Sequence, residues 1–199
     1  MSDYSVKDLG FKAGSLKGIS EKQITIHHDV HYAAYVKARN AISEKLRKIR
    51  ESGEYESIRA VKQAESHNVS GMVLHEIYWD NLGGDGSQPK GDLLKQIESD
   101  FGSYANWEAE AKAIAMSTRG WALLVYDLDH KTLHNASVDY HDQGAWWNCV
   151  PIVAIDMWEH AFYLDQGPNK GDYLDAYFEN LNWGRAEEKF AALSKLDWK

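Results

Sequence analysis

In 199 residues the chain has one cysteine, three prolines and no apolar run long enough to span a bilayer. With Cys149 alone, no intrachain disulfide can form, and its place beside an apolar stretch predicts a buried thiol rather than a reactive one. Net positive charge is lacking as well: the formal charge of −8 argues against nucleic acid or an anionic membrane as partner. No segment has the composition of a signal peptide or of disorder, so a soluble, cytoplasmic protein is expected. What is present in quantity is core material. With 44% hydrophobic and 12% aromatic residues, the chain can bury one large core or two small ones.

Periodicity divides the chain in two. Ser20 and Gln23 have the spacing of a capping box, and apolar positions then recur at helical spacing as far as Ile49. Gly53 separates this helix from a second one, which carries Met72 to Trp79 and stops at Gly83-Gly84. A breaker-rich linker through Pro89 follows, then helices near Asp92–Asp100 and Tyr104–Ser117. Trp121–Leu128 and Thr132–Val138 alternate around Asp129-His130-Lys131 and read as an antiparallel pair, which the Val150–Ile155 strand would join. The expected fold is α+β: an N-terminal antiparallel helical hairpin (1–85), then a C-terminal domain (90–199) with a three-stranded antiparallel sheet flanked by helices.

Two segments carry chemistry. Asp156 and His160 stand four residues apart just after the apolar run ending at Ile155, so both side chains can enter one cavity where the strand exits. Taken alone the pair is weak, since an Asp can cap a helix and a His can be an ordinary core group. His27, His31 and Tyr35 form one i, i+4 stripe, a polar stripe on the core side of a helix, while His28 faces elsewhere. His75 on the second helix could face His27 across the hairpin. Three imidazoles and a carboxylate suit a first-row transition metal better than calcium or magnesium. Of the other histidines, His130 falls in a turn, His134 on a strand, and His67 lies two turns before His75, too far along the axis to ligate the same ion.

In order and spacing, His27 with His31 and Tyr35, His75 before Tyr78-Trp79, Gly120-Trp121-Ala122, Asp156-x-Trp158-Glu159-His160-Ala161 and Asn182-Trp183 resemble the iron/manganese superoxide dismutases. The resemblance runs from about Ile19 to Phe190. It implies His27, His75, Asp156 and His160 as ligands of one manganese or iron ion per chain, with a solvent molecule as the fifth, and superoxide as substrate. It implies no organic cofactor. It makes His31 and Tyr35 a gateway pair concerned with proton delivery, and Tyr78, Trp79, Trp121 and Trp158 an aromatic cage. It also implies a homodimer, or a tetramer built from it, in which Glu159 reaches the partner's His160 and Tyr163 meets the partner's His31. For an anionic substrate the net charge is awkward, and a local positive field is expected at the funnel, with Lys170 one candidate.

The sequence departs from the commonest pattern of that family at the group that tunes the metal's potential. Where manganese-type members carry Gln within Asn-Gln-Asp, this chain reads Tyr140-His141-Asp142, which places His141 in the role, with Gln143 the alternative. Iron-type members often supply an amide from the second helix, at the position of Gly71 here, so a donor from the C-terminal half is expected. Metal preference stays open between iron and manganese. Arg-Pro-Asp-Tyr becomes Lys170-Gly171-Asp172-Tyr173, and looser interface packing is expected there. Trp146-Trp147 has no counterpart and is assigned to packing over the strand or to a subunit contact. Two other classes stay on the table: a zinc hydrolase, and a metal-binding scaffold without turnover. Neither accounts as well for His31 and Tyr35.

Overall fold

The computed structural model describes residues 4–144 and 146–197. The chain enters its first helix at Ser20, whose side chain accepts the Gln23 backbone N–H. This is half of the expected capping box. The Gln23 side chain does not return to Ser20, whose own N–H donates to Asp165 Oδ2 at 2.6 Å. Helix α1 (Glu21–Ile26) runs into a π turn (His27–Tyr32) and then α2 (Ala33–Ser52). Within that turn the Ala33 N–H reaches back to the His28 carbonyl, five residues earlier. The sequence pattern predicts one uninterrupted α-helix, because the i, i+4 spacing of the ring side chains reads the same through a widened turn. Such turns concentrate at functional sites.

Gly53 ends α2 at φ +73°, a left-handed position that suits glycine. Helix α3 (Ile58–Asp80) packs back along α2 and stops three residues before Gly83, capped by Asn81. Asn81 is buried, and its carboxamide accepts the Ala154 N–H while its backbone carbonyl accepts the Asn182 N–H. One side chain thus fixes the end of the hairpin to the sheet.

Helices α4 (Gly91–Phe101) and α5 (Tyr104–Ser117) precede strands β1 (Trp121–Asp127), β2 (Thr132–Val138) and β3 (Cys149–Asp156). The strands form an antiparallel sheet in the order β2-β1-β3. Its register sets Trp121 opposite Asp156, which brings an indole to the edge of the metal centre. A 3-10 turn (Glu159–Ala161), α6 (Tyr163–Gln166), α7 (Lys170–Glu179) and α8 (Gly184–Leu193) close the chain. The fold is α+β, as the sequence pattern predicts. No helix among the described residues is long and apolar enough to cross a membrane.

Two expectations need correction. Cys149 is half-buried rather than enclosed, because it starts β3 at the rim, and burial pushes its thiol up. Trp147 does not pack over the strand: it is 95% exposed, while Trp146 lies half-out against His134. Lys170 keeps its charge while its Nζ donates to the Thr118 carbonyl at the C-terminal end of α5, where a positive charge suits the helix dipole.

Candidate metal centre

Four side chains from four segments converge. His27 comes from the π turn, His75 from α3, Asp156 from the last residue of β3 and His160 from the 3-10 turn. Each offers one ligand atom, and all of these atoms lie within 4.8 Å of one another. The Nε2 atoms of His27, His160 and His75 stand 3.1, 3.3 and 3.6 Å from Asp156 Oδ2. Ligands about 2.1 Å from a common ion are separated by roughly 3.0–3.6 Å, so the spacing fits one first-row ion. The side chains of His27, His75 and Asp156 are 0% exposed, and that of His160 is 14% exposed.

Proton accounting shows that this cluster fits a cation. His75 Nδ1 donates to the Gly71 carbonyl at 2.6 Å, so in the neutral ring Nε2 carries a lone pair, and it points toward a carboxylate oxygen. His75 Nε2 and His160 Nε2 are buried with no hydrogen-bond partner. Burial lowers His75 well below the usual imidazole value and His27 to about 4, which keeps both neutral. Burial acts to raise Asp156, but His160 and His27 outweigh it and hold the carboxyl well below the usual range. Buried lone pairs facing a buried anion are costly unless a positive ion lies between them.

A second layer surrounds the ligands. Trp79 and Tyr78 lie 4.7 and 5.1 Å from the His27 ring, Trp121 lies 5.1 Å from His75, and Trp158 stacks on His160 at 6.1 Å. His31 stacks on His160 at 4.3 Å, and Tyr35 packs 5.1 Å from His75. His28 is engaged outside the site, with its Nε2 on the Lys7 carbonyl. Trp121 Nε1–H donates to His141 Nδ1 at 2.9 Å, and His141 Nε2 lies 2.6 Å from the Tyr35 hydroxyl. Gln143 is exposed and its side chain does not reach the centre. At Gly71 a Cβ would fall 2.8 Å from the Tyr35 ring, so Tyr35 occupies the space that an amide from α3 would need. Glu159, next to His160 in the same turn, and Tyr163, just beyond it, are exposed.

Two contributors carry no signal in the sequence. His67 packs 4.5 Å from the His141 ring and lies 3.8 Å from Asp142, so it buttresses the second layer without ligating. The Gln23 carboxamide reaches the turn that carries His160.

Burial also predicts acid lability. His27 and His141 are both lowered to about 4, so between pH 4 and 6.5 the unfolded chain binds more protons than the folded one. Stability therefore rises with pH across that window and is lost as pH falls. The metal-free protein is expected to melt on the order of 5–15 °C lower at pH 4.5 than at pH 7. A flat profile in differential scanning calorimetry would contradict this.

The fold and the centre define a single-ion metalloprotein whose ligands come in pairs from a helical hairpin and a mixed domain. Family models for iron/manganese superoxide dismutases match almost the whole chain, the alpha-hairpin domain over residues 3–83 and the C-terminal domain over 89–189. The chain belongs to that family. It is 43% identical to "Superoxide dismutase [Mn] 1" of Halobacterium salinarum over 192 residues, which cover 96% of each chain. It is also 43% identical to "Superoxide dismutase [Mn] 1" of Haloferax volcanii over 198 residues, 98% of this chain and 99% of that one. With "Superoxide dismutase [Mn]" of Haloarcula marismortui it shares 45% identity over 173 residues, 86% and 85% of the two chains.

Proposed function

We propose that His27, His75, Asp156 and His160 hold the ion with which this chain, a superoxide dismutase, converts two superoxide anions and two protons into dioxygen and hydrogen peroxide. The convergence of three imidazole nitrogens on one buried carboxylate carries this reading. When bound, iron or manganese supplies the one-electron exchange with each superoxide in turn. Both metals suit the donor set, and the relatives above are named as manganese enzymes.

The chain's own residues manage access and protons. Of the four ligands, only His160 has an exposed edge, and His31 stacks against it, so a small anion approaches past His31 and Tyr35. Burial raises the Tyr35 hydroxyl to about 12, so it stays protonated at neutral pH. Because His141 Nδ1 accepts the Trp121 N–H, the neutral His141 ring carries its proton on Nε2 and donates it to the Tyr35 oxygen. The Tyr35 proton is then free to point toward the incoming anion. His141 is the group we assign to tuning, ahead of Gln143, since its ring is buried against both Trp121 and Tyr35.

The same reading makes the protein a homodimer through Glu159 with His160 and His31 with Tyr163, leaving a tetramer to a second contact. What supports it is exposure beside a buried site: Tyr163 is 53% exposed and Leu164 50%. Glu159→Ala is expected to move the sedimenting species from dimer toward monomer, and an unchanged dimer would remove Glu159 from the interface. The reading also divides the chain into domains 1–85 and 90–199 and places it in the cytoplasm. A single cysteine with no disulfide suits a reducing compartment.

Metal analysis joined to a superoxide-consumption assay tests the whole reading. About one iron or manganese per chain with turnover is expected. Zinc without dismutation would favour a hydrolase, and iron or manganese without turnover a scaffold.

A further inference from the structure

We propose that Gln23 is a positioning residue that fixes the metal-ligating His160; this rests on the ligand set above. Gln23 is 2% exposed and lies one helical turn before His27. Its Nε2–H donates to the His160 carbonyl at 2.5 Å, and its Oε1 accepts the Leu164 N–H at 3.3 Å. In a regular helix that carbonyl and that N–H would bond to each other, being four residues apart. Here the turn is open. The Gln23 carboxamide sits in the gap and satisfies both groups as a peptide unit would.

The opening has a physical reason. Residues 159–166 form a 3-10 turn and a four-residue helix, too short to hold their own geometry. A peptide group left unpaired at this partly buried turn is costly, so the turn stays where Gln23 holds it. The position of the His160 carbonyl in turn sets where the ring leaves the backbone, and its Nε2 ends 3.3 Å from Asp156 Oδ2. Because Gln23 and His27 share one helical path, the carboxamide also sets the 4.9 Å spacing between the His27 and His160 rings.

A second bracket lies outside the first. Ser20 Oγ–H donates to Asp165 Oδ1 at 2.7 Å, the Ser20 N–H donates to Asp165 Oδ2, and Gln166 Nε2 donates to the Gly18 carbonyl at 2.6 Å. These groups tie the same two segments without touching a ligand, which makes them the natural control. Glutamine is required at position 23 by this geometry. Asparagine is too short to reach, glutamate lacks the donor, and methionine keeps the length but neither polar function.

The test compares metal-loaded wild type, Gln23→Met, Gln23→Glu and Asp165→Asn. In both Gln23 variants, loss of ion to an excess of chelator is expected to quicken about 10–100-fold, with a shifted visible absorption band of the oxidised metal form. Asp165→Asn should melt earlier yet release metal within about twofold of wild type. Gln23→Glu keeps the side-chain length and the acceptor for Leu164, so it reads the His160 bond by itself and carries the test if the methionine variant does not fold. Native release rates and an unshifted band in the Gln23 variants overturn the role of Gln23 while leaving the ligand set intact. Wild type that takes up neither iron nor manganese overturns the ligand set.

Discussion

Asp156→Asn is expected to hold less than about one-tenth of the wild-type metal and to lose dismutation in proportion, while the fold survives. The substitution is isosteric, so packing is unchanged. Asp156 Oδ1 accepts the Trp158 N–H at 2.9 Å, which fixes the amide oxygen of the variant on that side and turns its NH2 toward the three histidines. Donor hydrogens then occupy the place of a cation, and they meet imidazole lone pairs that had no partner. Melting of the metal-free variant should fall somewhat below that of the metal-free parent, whose His160 and His27 favour the ionised Asp156 carboxylate in the folded state. Elemental analysis with calorimetry on both forms decides it. A full equivalent of iron or manganese in Asp156→Asn would show that the carboxylate charge is not what holds the ion.

His141→Leu should produce the opposite pattern: metal retained and turnover reduced about 10–100-fold. His141 touches no ligand atom at bonding distance, but it joins Trp121 to Tyr35, and without it the Tyr35 hydroxyl loses its 2.6 Å partner and its orientation. His141→Gln can restore both bonds, with the carboxamide oxygen accepting from Trp121 and the nitrogen donating to Tyr35. It should recover most of the turnover yet change the ratio between iron-loaded and manganese-loaded protein. Gln143→Ala, at an exposed loop position, should leave both forms within about twofold of the parent. If the iron-to-manganese activity ratio is the same in wild type and His141→Gln, His141 does not tune the metal.

How far these groups can be read from the sequence differs by element. Strand β3 was legible because a continuous apolar run ending in Asp is costly anywhere but a buried sheet, and β1 with β2 because alternation and a turn signal coincide. The hairpin was legible from its period, but the π turn at His27–Tyr32 was not, since it changes backbone bonding and leaves the ring spacing in the sequence untouched. Glycines mislead about ends: α3 stops at Asp80, where Asn81 is needed to bond β3, rather than at Gly83. The chemistry of Trp147 suggests packing over the strand or at a subunit contact, and within this chain it is exposed. The capping box failed for a related reason. Its local geometry was available to Gln23, and a tertiary partner on the His160 turn took the side chain instead.

The sequence by itself determined the ligand types, their order, the elements that carry them and the family they mark, because periodicity and residue chemistry are local properties that survive without coordinates. Only the tertiary structure decided which atoms meet: that three nitrogens point at one carboxylate oxygen, that His141 and not Gln143 reaches Tyr35, that His67 braces His141, and that Gln23 holds the turn of His160. Those pairings join residues tens of positions apart. No local propensity encodes them, and they form only when the packing of the hairpin against the sheet makes each buried polar group find a partner.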